Sequence, residues 1–168
     1  GMPTDFIRRW PNHSLTFKGV ASGNMQRVDI AGLSIKLPSA FHAYAKGIVE
    51  NLTDLKHLKA KIDLEAKTYN LGFVTSLLDK EINKTINIPS DIGIKGTLAA
   101  NGERYQVYIL AKEGVGSIKA KGDLDLPRMA YKVNVNAHNL QLHHFLPNYG
   151  LSPFSGTLTA QGCGTEVF

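Results

Sequence analysis

The chain has little of what most catalytic or small secreted proteins depend on. A single cysteine, Cys163, excludes an internal disulfide framework and any zinc site built from several cysteines. No apolar run approaches the roughly 20 residues that a membrane-crossing helix needs, and no signal-peptide pattern is visible. Aromatic residues are 8% of the total, with one tryptophan, so no aromatic–basic platform of the kind that stacks nucleic-acid bases stands out. Nineteen basic side chains stand against fourteen acidic ones. The resulting charge of +5 permits contact with an anionic surface without requiring it. Segments of helical periodicity are also scarce. The clearest covers Phe73 to about Asn83, where Phe73, Val74, Leu77, Leu78 and Ile82 fall at near-helical spacing. His143 to Leu146, just before Pro147, suits a single turn.

What is abundant is short alternating strands. One seven-residue pattern occurs three times: Gly96 to Gly102, Gly116 to Gly122 and Gly156 to Gly162. Each reads Gly, small hydroxyl, branched aliphatic, any residue, Ala, any residue, Gly. A chain that repeats one strand points to an elongated sheet more than to an enzyme built around one pocket. Lys59 to Ala66 alternates strictly, with Ala60, Ile62, Leu64 and Ala66 on one side and Lys59, Lys61, Asp63 and Glu65 on the other. Ser117 to Leu126 and Tyr131 to Ala137 do the same. Period two with charge on one side describes a strand with one face in water. Further strands are expected over Ser14–Val20, Gln26–Ile30, Leu33–Leu37, His42–Glu50, Ile92–Ala100 and Arg104–Ala111, about ten in all. Turns are expected at Ser22-Gly23-Asn24, Asn101-Gly102 and Lys112-Glu113-Gly114.

A looser repeat spans residues 58–102 and 130–162: a charged alternating strand, a Leu/Phe-rich connection with proline, then a glycine-bounded strand. The second copy shortens only in its connection, as a stacking unit with variable loops would. The 168 residues therefore read as one β-rich segment of a longer repeat protein.

Each strand has an apolar side that must leave water, and one short helix cannot cover ten strands. The sheet can pack on a second sheet as a sandwich, close as a barrel, or remain an elongated, curved antiparallel gutter whose lining takes up an apolar ligand. Small residues on that side (Ala66, Ala100, Ala120, Ala137 and Ala160) either allow close sheet packing or leave room for something else. The repeat favours the gutter, with the β-sandwich as the alternative. The expected lining is Ile62, Leu64, Leu98, Ile118, Leu124, Leu126, Tyr131, Val133 and Val135.

Two stretches carry a resemblance. Ala45 to Leu52, followed by Leu58 to Ala66, resembles a strand pair of the AsmA/TamB-like envelope proteins. Leu140-Gln141-Leu142, Phe145-Leu146-Pro147 and Phe154 to Thr165 are similar to the part of TamB-like proteins where a Leu/Phe-rich segment ending in proline precedes a Ser-Gly-x-Leu strand. The resemblance runs from about Phe17 onward. It implies a Gram-negative periplasmic protein held in the inner membrane by a part not in this segment. It further implies repeated β units forming an apolar groove, and a role in phospholipid transport and outer-membrane biogenesis. Phospholipid would be the partner, the two membranes would be reached through other parts of the protein, and outer-membrane assembly proteins are further possible partners. The resemblance brings no catalytic residue and no cofactor. A scaffold that guides outer-membrane proteins through an exposed sheet edge is the second reading, and a passive repeat of a surface protein the third.

No pattern of metal ligands, phosphate loop or paired catalytic carboxylates stands out in the chain. His138, His143 and His144 lie close together, but adjacent histidines on a strand point to opposite sides. The repeat glycines are followed by no Lys-Ser or Lys-Thr of a phosphate loop. Asp63 with Glu65, and Asp123 with Asp125, alternate with lysines on solvent faces. The lysines are spread along the chain among acids, so no nucleic-acid partner is expected.

Overall fold

A computed structural model describes residues 10–75 and 84–164. Nine antiparallel strands form one open sheet in which spatial order follows chain order: β1 (Thr16–Asn24), β2 (Arg27–Leu37), β3 (Phe41–Glu50), β4 (Lys59–Thr68), β5 (Gly93–Asn101), β6 (Arg104–Glu113), β7 (Gly116–Asp125), β8 (Ala130–Leu140) and β9 (Phe154–Cys163). The chain is mainly β, and among the described residues its strands make one sheet rather than two packed sheets. Two short helices, α1 (Gly72–Thr75) and α2 (Leu142–Phe145), lie in the connections. Most of the helix expected from Phe73 to Asn83 falls on residues outside those described. The turn expected at His143 is α2.

The strands number nine because Gln26–Ile30 and Leu33–Leu37 belong to one strand. The apolar phase changes between Ile30 and Leu33, which in an unbroken strand would put them on opposite faces. A bulge at Ala31–Gly32 absorbs the extra residue, so that Ile30 pairs with Gly47 and Leu33 with Ala45 on the same face. A second bulge between Ala137 and Leu140, with Asn139 at φ 47°, does the same for β8. Ser22-Gly23-Asn24 is not a turn, since β1 runs through to Asn24. The reversal is Met25-Gln26, closed by the Asn24 side-chain oxygen, which accepts from the Gln26 and Arg27 amides at 2.8 and 3.1 Å. Asn101 closes β5, and Gly102 alone adopts positive φ (60°) in the turn to β6.

One end of the sheet, the lower end, has short reversals between β1 and β2, β5 and β6, and β7 and β8, and an eight-residue link between β3 and β4. The opposite, upper end has the two long connections, β4–β5 and β8–β9. These meet where the Asn87 amide donates to the Phe145 carbonyl (2.7 Å) and its side chain donates to the His144 carbonyl (2.8 Å). Near β2 and β3, Phe73 of α1 packs with Leu37 and Ala40, against Phe41, Leu71 and Val74. That small cluster is the most deeply buried apolar core among the described residues, and it sits at a corner of the sheet rather than beneath it.

Candidate functional site

Directly paired residues of neighbouring strands share a face, so the register sorts every strand residue onto one of two faces. On one face lie four rows that run across all nine strands. The row nearest the long connections is Phe17, Ile35, Ala43, Ala66, Ile94, Ala111, Ile118, Ala137 and Gly156. The next is Gly19, Leu33, Ala45, Leu64, Gly96, Ile109, Ala120, Val135 and Leu158. Ala21, Ile30, Gly47, Ile62, Leu98, Val107, Gly122, Val133 and Ala160 form the third, and Gly23, Val28, Val49, Ala60, Ala100, Tyr105, Leu124, Tyr131 and Gly162 the fourth. None of these side chains is charged. The polar atoms of their side chains are two tyrosine hydroxyls in the outermost row.

The four rows are not sealed. Leu64, Leu98, Val107, Ile109, Leu124, Tyr131 and Val133 retain between 37% and 49% of their surface, and Leu158 67%. The rows extend about 38 Å across the nine strands and about 20 Å along them, from the standard strand and residue spacings. That footprint, roughly 750 Å², exceeds the 300–600 Å² typical of the largest apolar patch on a soluble monomer.

The repeated heptad explains how such a face stays shallow. Its first, third, fifth and seventh positions all point to the apolar side, so each copy contributes Gly, aliphatic and Ala before a final Gly. In β7 and β9 that final glycine is also on the face, whereas Gly102 lies in the turn. Aromatic rings use the glycines as seats. A Cβ on Gly162 would meet the Tyr131 ring at 2.7 Å, and one on Gly156 would meet the Phe154 ring at 2.6 Å. The rings therefore lie down on β9 instead of standing up from the sheet.

Eight of the nine expected lining residues stand on this face within strands. Ile62 is directly opposite Leu98, Leu124 opposite Tyr131, Leu64 opposite Gly96, and Ile118 opposite Ala137, while Val133 and Val135 are neighbours along β8. Leu126 is not a strand residue. It opens the β7–β8 turn, its amide donating to the Glu103 carbonyl at 3.1 Å. Sequence reasoning missed the share of β1, β2, β3, β6 and β9, notably Phe17, Ile30, Leu33, Val49, Val107, Ile109 and Leu158. In β6 the other face also carries Tyr108 and Leu110, so alternation gave no way to choose. In β2 the bulge hid the phase.

At the upper border of the face stands Glu113, 12% exposed, paired with Gly116. His144 Nδ1 lies 2.8 Å from one carboxylate oxygen, and the other oxygen is buried without a hydrogen-bond partner among the described residues. This contact pins the β8–β9 connection to the β6–β7 turn.

The opposite face is polar. Cross-strand bonds lace it: Thr97 to Asp63 (3.1 Å), Gln106 to Asp123 (2.8 Å), Asn136 to Thr157 (2.9 Å) and Thr159 to Asn134 (2.8 Å). Arg27 binds Glu50 at 2.6 Å and Asp29 at 3.3 Å, and its pKa is raised above the ordinary value chiefly by the Asp29 hydrogen bond and charge. Hollows of about 580 and 550 Å³ on this side are spaces between long side chains standing on the strands. His143 and His144 are adjacent rings, 4.2 Å between centroids, on α2. No cluster of three metal-ligating side chains occurs among the described residues.

No protein-family model matches the chain, and neither does any curated protein or solved structure.

Proposed function

We propose that the apolar face binds lipid acyl chains laid across the strands, with headgroups at its wet margins. The observation that carries this reading is the four unbroken apolar rows, half exposed and about 38 Å long, with no second sheet over them among the described residues. Hydrocarbon suits such a surface because the surface has shape and dispersion contacts to offer but almost no hydrogen-bonding groups. Ile62, Leu64, Leu98, Ile118, Leu124, Tyr131, Val133 and Val135 would line the path, with Leu126 at its lower margin.

On this reading the chain is a non-enzymatic segment of an AsmA/TamB-like envelope protein in the periplasm. It would carry phospholipid between inner and outer membranes, which it would reach through parts outside this segment. The sequence resemblance and the open sheet support that placement together. Material extracted from protein purified without detergent tests it: phospholipid near one equivalent or more is expected by mass spectrometry. An empty extract, together with failure to take up a fluorescent acyl probe, refutes it.

The second reading, a scaffold for outer-membrane protein strands, is favoured by one observation. All nine residues of β1 are exposed, and among the described residues neither β1 nor β9 has an outer neighbour. A photocrosslinker in β1 would capture polypeptide under that reading, and one at Val133 would capture lipid under the first.

A further inference from the structure

The register gathers lysines that are scattered in sequence. On the polar face, the two rows nearest the long connections receive Lys18, Lys36, Lys67, Lys95, Lys112 and Lys119, one each from β1, β2, β4, β5, β6 and β7. All six are exposed. Glu65, 3.8 Å from Lys95, is the one acid in those rows, and Asp91 approaches Lys67 to 3.6 Å from the adjoining loop. The other acids of the face, Asp29, Glu50, Asp63, Asp123 and Asp125, all lie towards the opposite end. There they bond Arg27, Arg104, Thr97 and Gln106. The upper end thus carries six lysines against two acids, whereas the rest of the face sets Arg27, Lys46, Lys59, Lys61, Arg104, Lys121 and Lys132 against five acids, so the excess of positive charge per row is greatest at the upper end.

We propose that this cationic end docks on an anionic phospholipid bilayer surface. Three features favour a bilayer over a specific phosphate site or a folded acidic partner. The charges form a line about 30 Å long, one per strand or nearly so, which matches a planar surface rather than a point ligand. The cations of the line are lysines, while the described arginines (Arg27, Arg104 and Arg128) all lie at the other end. Lysine is a mobile point charge suited to a fluid field of headgroups, whereas fixed bidentate phosphate recognition selects arginine. Finally, residues suited to a membrane interface stand at the same end. Tyr69 is 41% exposed with Lys67 Nζ 5.7 Å from its ring centroid, and Val115, at the tip of the β6–β7 turn, is 73% exposed. The proposal concerns the polar face and stands independently of acyl binding on the apolar one.

The test is co-sedimentation of the 168-residue chain with vesicles of phosphatidylcholine containing 30% phosphatidylglycerol, beside vesicles of phosphatidylcholine alone. Binding to the anionic vesicles alone is expected, falling steeply between low and high salt. Each lysine at a charged surface is worth about fivefold, so Lys36→Gln, Lys112→Gln and Lys119→Gln together should weaken binding about 100-fold. The matched triple at the far end, Lys59→Gln, Lys61→Gln and Lys132→Gln, removes the same charge from the same face and should change it less than threefold. The single Lys112→Gln, at about fivefold, carries the comparison if the triple does not fold. Equal losses in the two triples, no binding to anionic vesicles at low salt, or binding to an RNA oligomer or polyglutamate with none to vesicles would each overturn the proposal.

Discussion

The most exposing perturbation is Val133→Asp with Val135→Asp, because β8 carries the argument about faces at two adjacent rows. Val133 lies between Gly122 and Ala160, so no large neighbour locks it, and Val135 lies between Ala120 and the largely exposed Leu158. Val133 already retains 38% of its surface. Full burial of a valine is worth roughly 1.5–3 kcal/mol, and what is lost here is a fraction of that, about 1 kcal/mol per site. The sheet should survive. A bound hydrocarbon fares worse, since a carboxylate cannot be buried under it and holds its water. Keeping clear of two hydrated carboxylates forfeits contact for roughly four methylenes, about 3 kcal/mol at ~0.8 kcal/mol each. That is on the order of a hundredfold in affinity. The control is Asn134→Asp with Asn136→Asp, on the same strand, with the same added charge, but on the polar face. There Thr159 and Thr157 hydroxyls are positioned to donate to the new carboxylates. Titration with a fluorescent acyl probe should show the large loss in the first pair and less than threefold change in the second. Far-UV circular dichroism should be unchanged in both. Full probe binding by folded Val133→Asp/Val135→Asp, or an equal loss in both pairs, would refute the assignment of the face.

Three other perturbations test the sheet and its margins. A Cβ at Gly47 would sit 2.2 Å from the Lys61 carbonyl oxygen and 2.8 Å from the Ile62 Cα, so Gly47→Ala should push β3 from β4 and cost more than about 2 kcal/mol in urea unfolding. By contrast, Gly122→Ala meets nothing within 4 Å and should stay within about 0.5 kcal/mol. The Asp54 carboxylate, 2.6 Å from His57 Nδ1, is held below its ordinary 3.8 by that hydrogen bond and the neighbouring charge. A lowered native pKa adds stability above the unfolded value that is lost as pH falls through the native one. An NMR titration should therefore place Asp54 below 3.8, and His57→Gln should move it upward. His144→Ala strips Glu113 of its partner and leaves a mostly buried carboxylate unpaired. A destabilisation of about 1–3 kcal/mol is expected, with faster amide exchange at Asn87, whose N–H is bound to the same connection.

The legibility of this chain follows from the period of its strands. Where alternation was strict, as in β4, β7 and β8, the face of each side chain could be read directly, and Ile62, Leu64, Ile118, Leu124, Tyr131, Val133 and Val135 stand together as expected. Where a bulge shifted the phase, as at Ala31–Gly32, one strand read as two. Where both faces were apolar, as in β6, the sequence did not choose between them. Leu126 was misplaced by a single residue, since Asp125 both ends β7 and accepts from the Arg128 amide to begin the turn.

Composition and alternation by themselves determined that this chain makes one-sided strands with too little helix to hide them, because those properties are local to a few neighbouring residues. Pairing decided the rest. Which strands adjoin, and at what register, is a non-local outcome. It turns scattered leucines and valines into four continuous rows, and lysines separated by dozens of residues into one charged line. It also left the sheet open, because each strand found its partner in the next strand of the chain and, among the described residues, none turned back to cover the face.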